Sequence, residues 1–403
     1  AGDDIREIAF SGIADFHERA QMRFEVVLDA IFPKKVPLNE WQIRRAYHRG
    51  IDEYEWIDPD WWTIQVGENW GGPNYTAFFR RSAEVPDELA GERLVLRMFT
   101  RGDGLLKVNG KPYHGLDPFR YVVPLAESAE PGARYDFELE TYMSWHWGNV
   151  ERNNFELADL AAFDADVWRV YWDLRAAEKL LDIPNIDPDL ADFVEHNLWE
   201  AMKLIPLQSS DPQALRRAIL AAGEAARATI YRAEGHRIQG LMHLVGHSHL
   251  DVVYMWPYRE FVRKIGRTHA TMLRLMEQYP EFTFAQSQAK LYADMKTYWP
   301  DLYEQVKARI AEGRWEPIGA FWVEPDCNLI SGESFVRQVL YGQLFFEREF
   351  GLRSRTCWQP DVFGMSWAMP QILARSGVEY VLTNKMVPWN DTNPWTLNTF
   401  WWE

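Results

Sequence analysis

Leu241-Met242-His243-Leu244-Val245-Gly246-His247-Ser248-His249-Leu250-Asp251 reads as an apolar strand that ends on chemistry. In an extended chain alternate side chains share a face, so His249 and Asp251 project together while Leu250 points away. The arrangement then recurs. Strand-like runs at 282–286, 315–320, 355–358 and 380–383 follow the one at 241–246, and each is trailed by polar residues. These are Ser287 and Gln288, Glu324 and Asp326, Asp361, then Asn384 and Lys385. Helical stretches such as 259–278, 334–348 and 366–375 fill the gaps. Strand–helix alternation at this spacing predicts a parallel α/β sheet, open or closed into a barrel. In such sheets the carboxyl ends of the strands form the active face, and five runs send chemistry to that edge.

An imidazole and a carboxylate on one face are half of a metal site. Zinc takes neutral imidazole nitrogen and carboxylate oxygen in roughly tetrahedral geometry, with about three protein ligands and an open position in catalytic sites. Asp361, in Trp358-Gln359-Pro360-Asp361-Val362-Phe363-Gly364, is the expected third ligand. Pro360 stiffens the strand exit there, and Asp361 lies too early to cap the helix expected near Ser366. His243 and His247 share the strand face of His249, but three successive ligands from one strand would strain the geometry. His247 is therefore expected to support the ligands or to touch substrate.

At 403 residues the chain exceeds one ordinary core, so two or three domains are expected. A net charge of -16 works against phosphate binding, which excludes nucleic acid as the expected partner. The first 30 residues lack a basic segment followed by an apolar core, and no run approaches the roughly 18 apolar residues of a membrane span. An unexported chain with no membrane partner is the expectation. Cys327 and Cys357 are too few for a disulfide framework and lack metal-knuckle spacing, which fits a reducing, cytoplasmic compartment. There the sequons at Asn74 and Asn390 carry no meaning. Twenty Trp and an aromatic share of 15% suit either large cores or clefts whose indoles stack on the C–H faces of sugar rings.

Four segments follow. Residues 1–60 read as an amphipathic helix, with Phe24, Val27, Leu28 and Ile31 at helical spacing, and then irregular chain. Residues 61–155 read as a jelly-roll-like β-sandwich, with strands at 76–81, 93–99, 105–108 and 135–142 and a hairpin turn at Asn109-Gly110. Residues 156–237 read as a helical linker region, in which Asp211-Pro212 makes an N-cap and first-turn pair. Residues 238–403 form the α/β part.

Three blocks in that part carry a resemblance. His247-Ser248-His249-Leu250-Asp251-Val252-Val253-Tyr254-Met255-Trp256-Pro257, Trp322-Val323-Glu324-Pro325-Asp326-Cys327-Asn328 with Ser331-Gly332-Glu333-Ser334, and the Trp358 to Gly364 run together resemble glycoside hydrolase family 38, the retaining α-mannosidases. The branch they resemble is the cytosolic type. Lys385-Met386 through Asn393 and Asn398 through Glu403 resemble it too. The resemblance implies the first part of a (β/α)7-type barrel and a zinc ion, with cobalt as the alternative, on His249, Asp251, Asp361 and a later His. It implies that Asp361 is also the nucleophile, forming a covalent glycosyl-enzyme during hydrolysis of terminal α-mannosyl residues of an oligosaccharide or mannoside. His247, Tyr254, Trp256, Glu324, Asp326, Phe363 and Lys385 are expected around the substrate, Lys385 also against Asp361. Position 254 is usually Trp in this branch and is Tyr here.

The resemblance further implies that the chain stops inside the catalytic domain. On that reading a fourth ligand and the acid/base carboxylate lie beyond Glu403, and residues 1–403 alone do not catalyse. Assembly as a homo-oligomer stays open. Two other readings stand beside it. One is a metal-dependent carbohydrate deacetylase with Asp251 as base, which leaves the Trp-Gln-Pro-Asp run without a role; the other is a non-catalytic carbohydrate-binding protein.

Overall fold

The computed structural model describes residues 16–72, 74–142, 153–232, 241–385 and 399–402. The 237/238 boundary, the Asn390 sequon and residues 386–398 of the resemblance lie outside the described residues.

The sandwich is wider than the expected 61–155. Its four-stranded antiparallel sheet runs Lys35–Pro37, Leu157–Ala162, Leu94–Phe99, Val122–Ala126. The seven-stranded sheet runs Glu53–Trp56, Glu40–Gly50, Tyr75–Glu84, Arg134–Tyr142, Asp103–Val108, Lys111–Leu116, with Trp62–Gln65 also on Glu40–Gly50. Among the described residues of the segment 1–60, the helix is Phe16–Ala30, and Lys35–Pro37, Glu40–Gly50 and Glu53–Trp56 belong to the sheets. Arg44, Arg45, His48 and Arg49 mask the alternation of Glu40–Gly50, whose Trp41, Ile43 and Ala46 are buried. At the other end Leu157–Ala162, built of helix-forming Leu and Ala, is held extended by ladders on both sides. Tertiary pairing overrides propensity there. The Asn109-Gly110 turn forms as expected, with φ of +52° and +77° joining two paired strands, the left-handed pair that a tight hairpin requires.

Trp41, Phe79, Leu106, Phe137 and Leu160 fill the space between the sheets, and burial of side chains this large stabilises by about 1.5–3 kcal/mol each. Val95 and Ala161 point the other way, into a helical layer. That layer is a bundle of α1 (Phe16–Ala30), α2 (Ala165–Leu180), α3 (Pro188–Met202) and α4 (Pro212–Ala226), cored by Phe24, Val27, Leu174, Leu198 and Ile219. It has a core of its own, and Leu157–Ala162, expected to belong to it, is sandwich strand instead. Phe24, Val27 and Ile31 are buried as the periodicity predicts, whereas Leu28 is exposed. Asp211 caps α4 by accepting from Gln213 N at 2.9 Å, with Pro212 in the first turn.

From Gly246 onward five short strands run parallel in chain order: β1 (Gly246–His247), β2 (Phe284–Gln286), β3 (Trp315–Pro317), β4 (Thr356–Trp358) and β5 (Tyr380–Leu382). Among the described residues a single parallel bridge, Gly319 to Cys357, joins the first three to the last two. Helices α5 (Tyr258–Gln278), α6 (Ala289–Tyr298), α7 (Pro300–Ala311), α8 (Gly332–Phe350) and α9 (Met369–Arg375) lie between them. The run expected as a strand at 241–246 joins the ladder only at Gly246. Leu241, Met242 and Leu244 are exposed, because β1 pairs with β2 alone among the described residues.

Helix α5 ties this part to the outer face of the seven-stranded sheet. Arg259 Nε donates to His48 O at 3.0 Å, and Thr271 Oγ1 accepts from Gly115 N at 3.0 Å. Arg263 reaches Glu140 at 3.1 Å and Glu260 at 3.2 Å, while Arg267 reaches Glu260 at 2.8 Å. Two buried guanidiniums thus face two carboxylates. Among the described residues no helix is long and apolar enough to cross a membrane.

Candidate active site

The loops that leave β1 and β4 bring His249, Asp251 and Asp361 together. One ligand atom from each lies within 4.8 Å of the others. His249 Nε2 is 3.2 Å from Asp251 Oδ1 and 3.4 Å from Asp361 Oδ2. The expected face-sharing of His249 and Asp251 is reached just beyond the strand rather than within it. Lys385, three residues past β5, sits with Nζ 2.5 Å from Asp361 Oδ1. Asp361 therefore offers one oxygen to the lysine and the other to the imidazole.

Behind the cluster stands Glu324. Its Oε2 is 3.2 Å from His249 Nδ1, its Oε1 accepts from Ser287 Oγ at 2.8 Å, and its side chain is only 6% exposed. Substrate contact was the expectation for Glu324, but the carboxylate is turned inward between Ser287 and His249. His247 Nε2 lies 3.3 Å from the same Ser287 Oγ, and its ring packs on Trp358 with centroids 5.0 Å apart. Gln288 joins the loops: its Nε2 donates to Leu250 O at 2.7 Å and its Oε1 accepts from Glu324 N at 3.3 Å. It does so at φ +70°, a left-handed conformation that costs a non-glycine residue roughly 1–2 kcal/mol.

The other expected residues line the approach. Asp326 is exposed and turns back to accept from Asn328 N at 3.0 Å, which makes it a loop-shaping carboxylate in this structure. Tyr254 is exposed and packs edge-on against Trp256 at 5.7 Å, and Trp256 Nε1 donates to Asp251 O at 3.2 Å. Phe363 is 77% exposed beneath the Lys385 ammonium, which stands 4.9 Å from its ring centroid. The linking roles of Ser287, Gln288 and Glu324 were not legible beforehand, although their place directly after strands was the available signal.

Three carboxylates, Asp251, Asp361 and Glu324, face one imidazole. The carboxylates of Asp251 and then Glu324 raise the His249 pKa to about 10. Burial, and then the neighbouring His249, push His247 down to about 4. An anionic field that holds a proton on His249 so firmly also favours a divalent cation in its place. One imidazole and two carboxylates form a donor set that suits a divalent metal ion. His249 Nδ1 and Glu324 Oε2 are both buried without an aligned hydrogen bond, so each has the other as its close charged neighbour.

The parallel α/β part with this cluster at its strand ends follows a β-sandwich in the chain. Residues 239–403 match the glycosyl hydrolases family 38 N-terminal domain, and residues 35–161 match the jelly roll domain of alpha-mannosidase. The chain belongs to glycoside hydrolase family 38. It is 30% identical to Alpha-mannosidase G of Dictyostelium discoideum over 88% of this chain and 33% of that protein. Alpha-mannosidase 2C1 of Homo sapiens is 33% identical over 87% of this chain and 34% of its own length. An alpha-mannosidase of Saccharomyces cerevisiae is 38% identical over 39% of this chain and 15% of that protein. The chain spans about a third of the length of the first two relatives.

Proposed function

We propose that the protein carrying this chain is a retaining, metal-dependent exo-α-mannosidase acting on terminal α-mannosyl residues of oligosaccharides, with Asp361 as nucleophile. The observation that carries the reading is the convergence of His249, Asp251 and Asp361 at the ends of parallel strands, with Lys385 on Asp361. The five strands read as the first part of a (β/α)7-type barrel. Zinc is the favoured ion and cobalt the alternative, held by His249, Asp251 and Asp361. Such an ion, when bound, supplies a template for sugar hydroxyls.

The protein's own residues perform the displacement. Asp361 attacks the anomeric carbon while the bond to the aglycone oxygen breaks, and that oxygen takes its proton from a carboxylic acid about 5 Å from the nucleophile, as retention requires. Water then attacks the same carbon, gives its proton to that carboxylate and frees Asp361. Lys385 holds one Asp361 oxygen and so orients the other. His247, Tyr254, Trp256, Asp326 and Phe363 form the substrate's surroundings, the aromatic rings stacking on sugar C–H faces. A cytoplasmic setting is part of the proposal, supported by two cysteines that are both free and buried.

The test is release of phenol from an aryl α-mannoside with retained anomeric configuration, followed by trapping with a slow fluorinated mannosyl substrate. The hexose is expected on the Asp361 peptide. Label on another carboxylate, or release of acetate from an acetylated sugar with the mannoside untouched, overturns the reading.

A further inference from the structure

We propose that Glu324 is a positioning residue for His249, holding the ring so that Nδ1 is its hydrogen-bond donor and Nε2 faces Asp251 and Asp361. The inference rests on the metal-site reading above and adds to it a carboxylate whose expected role was contact with sugar. Glu324 Oε2 lies 3.2 Å from His249 Nδ1, and both atoms are buried with no aligned hydrogen bond to any described group, so each is the other's close charged neighbour. A neutral imidazole carries one ring proton, so a carboxylate on the Nδ1 side leaves the lone pair on Nε2. Nε2 is the nitrogen 3.2 Å from Asp251 and 3.4 Å from Asp361.

Glu324 is itself held from two sides. Ser287 Oγ donates to its Oε1 at 2.8 Å, and its backbone N–H donates to Gln288 Oε1 at 3.3 Å. Gln288 in turn grips Leu250 O at 2.7 Å, on the residue between His249 and Asp251. The turn after β2 therefore fixes the distance between the loop bearing Glu324 and the loop bearing His249. With its side chain 6% exposed, Glu324 is poorly placed to meet a substrate directly.

The experiment compares the full-length protein with its Glu324→Gln, Ser287→Ala and His249→Ala variants, using zinc alone as the probe in competition with a fluorescent chelator. Glu324→Gln is expected to weaken zinc affinity by about 10- to 100-fold, the usual effect of losing a partner that orients a metal-bound histidine. Its kcat on an aryl mannoside should recover towards wild type at saturating zinc, with KM little changed. Nitrogen chemical shifts of labelled histidine should show the Nδ1-protonated form of His249 depleted. Ser287→Ala should shift affinity in the same direction by a smaller factor, and it decides the matter where Glu324→Gln does not fold. Wild-type zinc affinity with a raised KM would make Glu324 a substrate contact and overturn the proposal. Retention of zinc by His249→Ala would instead overturn the metal-site reading beneath it.

Discussion

Two polar clusters of this molecule, one buried and one half-buried, each hold a histidine, and they treat it in opposite ways. At the junction of α5 with the sandwich, His48 sits 3.1 Å from Arg263, and burial followed by that guanidinium lowers its pKa to about 4. At the strand ends, Asp251 and Glu324 raise His249 to about 10. The junction balances its charges, with Arg263 and Arg267 against Glu140 and Glu260. The strand-end cluster leaves carboxylates in excess around one ring and Lys385. A balanced buried cluster joins two domains, while an unbalanced one is built to receive a cation or a reacting carbon. The sign of the surplus separates the two.

The largest effect expected belongs to the unbalanced cluster. Asp361→Asn should lower mannosidase turnover by several powers of ten while leaving the thermal midpoint near wild type, read by steady-state kinetics and calorimetry on the same samples. The reverse pattern is expected at the junction. Arg263→Leu leaves Glu140 without its guanidinium and Glu260 with Arg267 alone, in a largely buried setting, and should cost about 3–5 kcal/mol in stability, read by urea unfolding. Loss of activity in Arg263→Leu beyond its unfolded fraction would blur the distinction.

The chain announced these clusters unequally. His249, Asp251, Asp361 and Lys385 were legible because each follows an apolar strand-like run, and parallel sheets place such residues on one edge. The junction was not legible. Arg259, Arg263 and Arg267 fall in the expected helix 259–278, and nothing in that run marks them as buried until Glu40–Gly50, itself hidden by its arginines, is known to be a strand. Leu157–Ala162 failed for a related reason: pairing on both sides outweighs the helix propensity of Leu and Ala. Glu324 was seen, but its neighbour was not, since no spacing rule says which of two loop carboxylates turns inward.

Acid should separate the clusters a third time. His48 stays neutral in the fold down to about pH 4, whereas the unfolded chain takes its proton near the ordinary value of 6.5. Stability from His48 is therefore fully present above pH 6.5 and falls as the pH drops from there towards 4, by on the order of 2–3 kcal/mol. His48→Gln should flatten that slope in urea midpoints measured across the range. Smaller again, His247→Ala should weaken zinc affinity by about 10- to 100-fold, since His247 touches Ser287 rather than the ligands. An unchanged affinity would place His247 with the substrate alone.

The central claim is that surplus negative charge at His249, Asp251 and Asp361 holds a divalent ion, and elemental analysis of the purified protein tests it most directly. Wild type and Arg263→Leu should each carry close to one zinc-like ion per chain, and His249→Ala should carry almost none. Equal metal content in wild type and His249→Ala would contradict the account.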